Sequence, residues 1–102
     1  MGHSNVPWNW VLLDALRSRH GEADLSDIYE FIESMGPDFL PSRLFEEDLR
    51  WGRRPVYQHT VRSILSDLKQ RGLVEWVARG RYRLTDTGKA RLREYDQEHD
   101  GY

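Results

Sequence analysis

The chain has 102 residues, no cysteine and a formal net charge of −2. This length suits one domain with an apolar core of its own, and the lack of cysteine excludes disulfides and thiol chemistry within the chain. No apolar run approaches the roughly 18 residues of a membrane span, and no basic segment leads into an apolar one as in a signal peptide. We expect a single cytoplasmic domain over residues 1–102, with an ordered core over about 8–95 and no membrane contact.

The small net charge hides a separation of charge along the chain. Residues 14–48 hold ten acidic and three basic residues, a net charge of −7, whereas residues 50–83 hold nine basic and two acidic residues, a net charge of +7. The field of the basic segment, rather than the overall charge, decides which partners it attracts. Within the acidic segment, we expect residues 22–48 to form a solvated outer face that would repel DNA.

Helical spacing of apolar residues predicts the first two elements. The first helix begins near Pro7 and ends at Gly21, and the second takes Ser26 as its N-cap and ends at Gly36. Residues 21–25 leave room for a very short strand between the two helices.

The next part of the chain, residues 37–55, is less regular. Residues 42–49 fit a short helix that Ser42 would cap, and residues 51–55, with the sequence WGRRP, fit an exposed connection. Glycine and proline in this connection both interrupt regular structure.

The third helix has the clearest pattern. It spans about 55–71, with Pro55 at its first position and Gly72 at its C-terminal cap. One side of this helix is polar. The other side is an apolar stripe of Tyr57, Val61, Ile64, Leu65 and Leu68.

Two short strand patterns follow, and they form a hairpin over about 73–84 with a tight turn at Arg79 and Gly80. A last helix begins after Thr85, its predicted cap. The order of elements predicts a mainly α fold with a small β-hairpin (α+β), a winged helix-turn-helix with about three core helices, a C-terminal two-stranded wing and a final helix. The side chains expected to pack the hairpin on the helices are Leu73, Val74, Trp76, Val77, Tyr82 and Leu84.

Two stretches carry a family resemblance. The run VRSILSDLKQRGLVEWVARGRYRLTDTG resembles the end of many winged-helix domains, with a recognition helix, GLV, a hairpin and an LT-x-x-G exit. Together with AL-x-x-x-x-GEA-x-LSDIYE-x-I, it makes about residues 8–92 resemble the N-terminal winged-helix domain of Mrr-type restriction proteins. The resemblance implies DNA binding, as the targeting module of a modular nuclease. The nuclease domain of that family is separate and too large for this chain.

The recognition helix and the wing hold the predicted contacts to double-stranded DNA. Residues near the start of such a helix meet base edges in the major groove, where glutamine suits adenine and arginine suits guanine. Wing arginines would contact phosphates or the minor groove, and arginines beside Trp51 would grip the backbone. The predicted set is Arg53, Arg54, Gln58, His59, Arg62, Ser63, Arg79 and Arg81.

Each of these contacts has a structural alternative. The polar side of the third helix is also what any amphipathic helix presents to water. Charged residues on an edge strand also discourage edge-to-edge pairing. Two other functions therefore stay open: a protein–protein interaction module, and a small dimeric transcriptional repressor that pairs through its first or last helix. Ion pairing of the arginines with acidic residues of 22–48 would favour the interaction module.

Catalysis and metal binding have little support in the sequence. The four histidines are widely separated without the spacing of metal ligands, and no glycine-rich loop suits a phosphate. Asp86 and Lys89 pair an acid with a lysine, but they sit at a helix start and fit capping. We expect no enzyme activity, no cofactor and no metal.

Overall fold

A computed structural model describes residues 7–35, 46–48 and 54–98 of the chain. This part is mainly helical with a small antiparallel sheet, which confirms the predicted winged-helix class. Its elements are α1 (Trp8–Arg17), β1 (Glu22–Asp24), α2 (Leu25–Met35), β2 (Glu47–Asp48), β3 (Arg54–Pro55), α3 (Val56–Gln70), β4 (Val74–Ala78), β5 (Arg81–Leu84) and α4 (Asp86–Glu98). None of these helices is long and apolar enough to cross a membrane.

The wing is part of a three-stranded sheet. Strand β5 lies in the middle, between β1 and β4, and both pairings are antiparallel. The turn between β4 and β5 has Gly80 at φ 71°, a left-handed conformation that glycine adopts without strain. The Gly80 carbonyl accepts a 2.8 Å hydrogen bond from the Leu25 N–H, which ties the wing to the start of α2. The first short strand therefore stiffens the predicted two-stranded wing.

Helix α1 is the centre of the core. The sequence pattern gave it one apolar stripe, but Trp10 and Leu13 are also buried, so the helix is covered on most sides. It contacts the three other helices and β5. This central position orients the elements that carry the exposed basic residues.

Tyr57 anchors the start of α3. Its side chain is 0 % exposed, and its ring meets the ring of Tyr29 of α2 edge-on, with 5.8 Å between the centroids. Its hydroxyl donates a hydrogen bond to the carboxylate of Glu33. Burial, followed by this hydrogen bond, raises the pKa of Tyr57 to about 12. Tyr57 therefore belongs to the core and holds α3 against α2.

Helix α4 docks on α1 through polar and aromatic contacts. The rings of Trp10 and Tyr95 stack with 5.7 Å between the centroids. Asp96 accepts a 2.5 Å bond from the Arg17 guanidinium, which lowers the pKa of that carboxyl, and a 3.3 Å bond from the indole of Trp10. These contacts fix the last helix along the first.

Thr85 caps α4, as the sequence predicts. Its hydroxyl oxygen accepts a 2.9 Å hydrogen bond from the Gly88 N–H and its hydroxyl donates to the Gly72 carbonyl at 2.6 Å. The second bond joins the start of α4 to the turn after α3. Thr85, which follows the last strand of the wing, is therefore bonded both to α4 and to the turn after α3.

Four local predictions are corrected. Helix α2 starts one residue before Ser26, because Asp27 accepts the N–H of Asp24 and so closes the cap there. Glu47–Asp48 form the strand β2, which pairs with β3, and they do not form part of a helix. Apart from Glu46, the other residues of the predicted helix 42–49 lie outside the described residues. Pro55 precedes α3 instead of opening it.

The fourth correction concerns Trp76, which is 55 % exposed. Strand alternation is correct in placing Trp76 on the same side of β4 as Val74, which is buried. However, β4 is an edge strand and shifts register between Trp76 and Ala78, so nothing in the described part of the chain covers the whole indole.

Candidate nucleic-acid interface

The outward side of α3 is a continuous polar face. Arg62 and Ser63 lie one turn after His59, and all three are exposed, whereas Gln58 is half-buried. Two turns after Arg62, about 10 Å along the axis, Lys69 is exposed on the same side. The opposite side is buried against the core. Helix α3 thus presents two cations and several hydrogen-bonding groups along one line.

The arginines of the wing strand are held in ion pairs. Arg81 contacts Glu22 at 2.5 Å and Asp24 at 2.8 Å. Arg83 contacts Glu75 at 2.5 Å and Glu22 at 3.7 Å. Hydrogen bonds to these carboxylates raise the pKa of both arginines. We call these five residues the wing ladder.

Strand register explains the wing ladder. Arg83 lies opposite Glu22 on one side and Glu75 on the other, and Arg81 lies opposite Asp24. Opposite charges facing each other across strands stabilise a sheet. The ladder occupies the face of β5 that points away from the core, as the burial of Leu84 on the other face shows. Part of the positive charge of the wing is therefore neutralised by the acidic segment.

Other cations have no such partner. Among the described residues, five lysines and arginines make no ion pair with a described carboxylate. Three of them are exposed on α3 or on the wing: Arg62 and Lys69 on α3, and Arg79 at the turn of the wing. The full set is Arg62, Lys69, Arg79, Lys89 and Arg93.

Trp76 and Lys69 form a contact that the sequence pattern did not reveal as part of a site. The Lys69 ammonium lies 5.4 Å from the centroid of the Trp76 ring, within cation–π range. Seven-residue spacing from Arg62 places Lys69 on the predicted face, but strand alternation assigns Trp76 to the core. Only the position of β4 at the sheet edge leaves the indole open beside α3.

The sequence of this domain matches a known protein family. Residues 8–94 match the family model of the Mrr N-terminal domain, which takes in α1 and most of α4. The chain belongs to the Mrr N-terminal domain family. The curated proteins and the solved structures gave no match. Membership supports a winged-helix-like DNA-binding module in restriction systems.

In this Mrr N-terminal domain the predicted contact residues fall into three groups. His59, Arg62 and Ser63 share the exposed face of α3, with Gln58 half-buried beside it, and Arg79 is exposed at the turn of the wing. Arg81 is engaged in the wing ladder. Arg53 and the side chain of Arg54 lie outside the described part.

Proposed function

We propose that this domain binds double-stranded DNA with α3 in the major groove and the turn of the wing on the neighbouring backbone. The observation that carries the proposal is the position of Arg62, Lys69 and Arg79. These three cations have no carboxylate partner among the described residues and lie on the two elements that a winged helix presents to a duplex. Unpaired guanidinium and ammonium groups are free to neutralise phosphates.

Each element has its own part in this binding. The start of a recognition helix lies nearest the base edges, so Gln58, His59, Arg62 and Ser63 read bases, with Arg62 suited to guanine. Lys69, further along α3, contacts a phosphate. Arg79 contacts a phosphate or the adjacent minor groove. The domain acts by binding alone and needs no cofactor.

Binding to a labelled random duplex of about 25 base pairs, measured by fluorescence anisotropy at several salt concentrations, tests the proposal. Each phosphate contact contributes about −0.9 to the slope of log K against log salt. Arg62, Lys69 and Arg79, with Arg53 and Arg54, give an expected slope of roughly −3 to −5. No binding at low salt would refute the proposal.

The wing ladder leads to a separate prediction. Glu22 and Asp24 compete with phosphates for Arg81, so replacing them by glutamine and asparagine strengthens DNA binding and steepens the salt slope by about 1. Replacing Arg81 alone by glutamine changes the affinity less than about threefold, because its charge is already offset. The measurement is the same anisotropy titration.

The matched control replaces Glu30 and Glu94 by glutamine, which changes the net charge equally. Those carboxylates lie on α2 and α4, and they pair with Arg19 and Arg91. If the control strengthens binding as much as the replacement of Glu22 and Asp24 does, the effect is one of net charge, and the wing ladder does not restrain Arg81.

The wing ladder also favours a second candidate, a protein-interaction module. It neutralises two arginines, while Trp76, 55 % exposed, suits the aromatic anchors of protein interfaces. A dimeric form is one version of this function. Light scattering tests it against the monomer mass of 12.1 kDa. A dimer that does not bind DNA at low salt would support this candidate over the first.

A further inference from the structure

A cleft of about 320 Å³ opens at the opposite end of β5 from the turn of the wing. It lies between the end of α1, the turn that follows it and α4. No lining residue comes from α3 or the wing turn, so the cleft is separate from the proposed DNA surface. Its polar lining includes Arg17, His20, Lys89 and Arg93, and its apolar lining includes Leu84 and Leu92.

Two cations of this cleft lack a partner. Lys89 and Arg93 are exposed, four residues apart on α4, and neither makes an ion pair with a described residue. At this spacing two side chains share one helix face, and like charges there destabilise the helix. An anion held between them would remove that repulsion.

Arg17, the third cation of the cleft, cannot offset the positive charges of Lys89 and Arg93. Its guanidinium is fixed by Asp14 at 2.6 Å and by Asp96 at 2.5 Å. These bonds offset its charge and hold it at the wall of the cleft. Lys89 and Arg93 therefore provide the uncompensated positive charge.

The turn after α1 gives the cleft a formed wall. His20 is exposed and has φ 63°, a left-handed conformation that is uncommon for a residue other than glycine. The turn is closed by hydrogen bonds of 3.1 Å from the His20 N–H to the Arg17 carbonyl and 2.8 Å from the Gly21 N–H to the Leu16 carbonyl. His20 thus lies on a closed turn, and it lines the cleft together with Arg17.

The bottom of the cleft is apolar. Leu84 is 5 % exposed and Leu92 is 2 % exposed, and both belong to the core cluster. Small-molecule sites combine an apolar surface with a few placed polar groups in about 300 Å³ or more. The volume and the mixed lining of this cleft both meet that description.

We propose that this cleft binds a small phosphate ester of about the size of a nucleoside monophosphate. The phosphate lies between Lys89 and Arg93, and the organic part lies over Leu84 and Leu92. Phosphate suits this pair because guanidinium and ammonium groups both form strong charge-assisted hydrogen bonds with its oxygens. The inference goes beyond DNA binding, and its test with a small ligand does not require that the domain binds DNA.

Isothermal titration calorimetry with adenosine 5′-monophosphate at low salt tests the inference. We expect one site per chain with a Kd of about 1 mM or below. Replacing Lys89 and Arg93 together by glutamine weakens this binding at least tenfold, roughly the effect of losing one charge-assisted hydrogen bond. The matched pair Arg62→Gln with Arg79→Gln removes the same charge from the other surface and leaves it unchanged.

Two further ligands identify the part of the nucleotide that is bound. Inorganic pyrophosphate binds if the cations dominate, and adenosine without phosphate does not bind. Equal binding of adenosine and its monophosphate would overturn the proposal, as would the absence of a site up to about 10 mM monophosphate, a concentration well beyond the expected Kd.

DNA itself is the other source of phosphate. If the Lys89→Gln, Arg93→Gln variant loses as much duplex affinity as the Arg62→Gln, Arg79→Gln variant, the cleft is part of the DNA surface and the inference fails. The thermal midpoint checks the fold, and removal of like charges should leave it equal or slightly higher. If the double variant does not fold, Arg93→Glu alone should abolish nucleotide binding, and retention of binding would refute the site.

Discussion

Replacing Arg62, Lys69 and Arg79 together by glutamine lowers the affinity for a 25-base-pair duplex at least about 100-fold at 50 mM salt and makes the salt slope less steep by about 3. The reason is that each lost phosphate contact leaves on the duplex the counterions that binding would otherwise release. All three side chains are exposed, so the thermal midpoint should change little. Anisotropy titrations at several salt concentrations, with thermal unfolding monitored by circular dichroism, measure both quantities.

A second triple variant controls for net charge. Replacing Arg19, Arg83 and Arg91 by glutamine removes the same charge from side chains that already pair with carboxylates. We expect less than about a threefold loss of affinity. Equal losses in the two variants would mean that only the overall charge matters, and that α3 and the wing turn have no special position on the duplex.

Gly88→Ala should destabilise the domain by about 3 kcal/mol, although alanine favours a helix more than glycine does. A Cβ at this position would lie 2.0 Å from the carbonyl oxygen of Leu73 and 3.0 Å from its carbonyl carbon. That oxygen accepts a 3.2 Å hydrogen bond from the Thr85 N–H, so it cannot move away from the added Cβ without breaking this bond. Helix α4 must move away, and the thermal midpoint should fall by roughly 12–24 °C.

Thr87→Ala is the matched control, because Thr87 is exposed and lies next to Gly88 in the first turn of α4. Its effect should be within about 0.5 kcal/mol. A Gly88→Ala variant as stable as the control would show that α4 approaches the turn after α3 less closely than described. DNA binding by the Gly88 variant, measured below its midpoint, should be retained, since Gly88 lies away from Arg62 and Arg79.

The family resemblance contains this glycine as the last letter of the LT-x-x-G exit, but the motif does not say why a glycine stands there. Sequence reasoning identifies the threonine as a helix cap, and the structure confirms that assignment. The requirement for glycine comes from a contact with Leu73, fifteen positions earlier in the chain. A contact of this kind leaves no local pattern.

The buried side of α3 could also be predicted. Four of the five residues of the apolar stripe that helical spacing predicts are buried, and the fifth, Ile64, is half-buried. The same spacing places Arg62 and Lys69 on the opposite side. Helical geometry relates these positions directly, so the sequence suffices to predict which side chains of α3 face outward.

Strand positions were harder to predict. Strand alternation places Arg81 and Arg83 on one face of β5, but it does not show that Glu22, 59 residues before Arg81, lies beside them. Nor could it show that β4 is an edge strand, which leaves Trp76 exposed. Both results depend on which strands become neighbours.

By itself, the sequence determined the winged-helix class, the family, the outward face of α3 and the cap of α4, because each follows from local spacing or from a motif. Only the tertiary structure decided which cations remain without a carboxylate. Arg79 and Arg81 are two residues apart, yet the pairing of β1 with β5 brings Glu22 and Asp24 to Arg81 and not to Arg79. Charge pairing depends on distances of a few ångströms between segments far apart in the chain, and folding sets those distances.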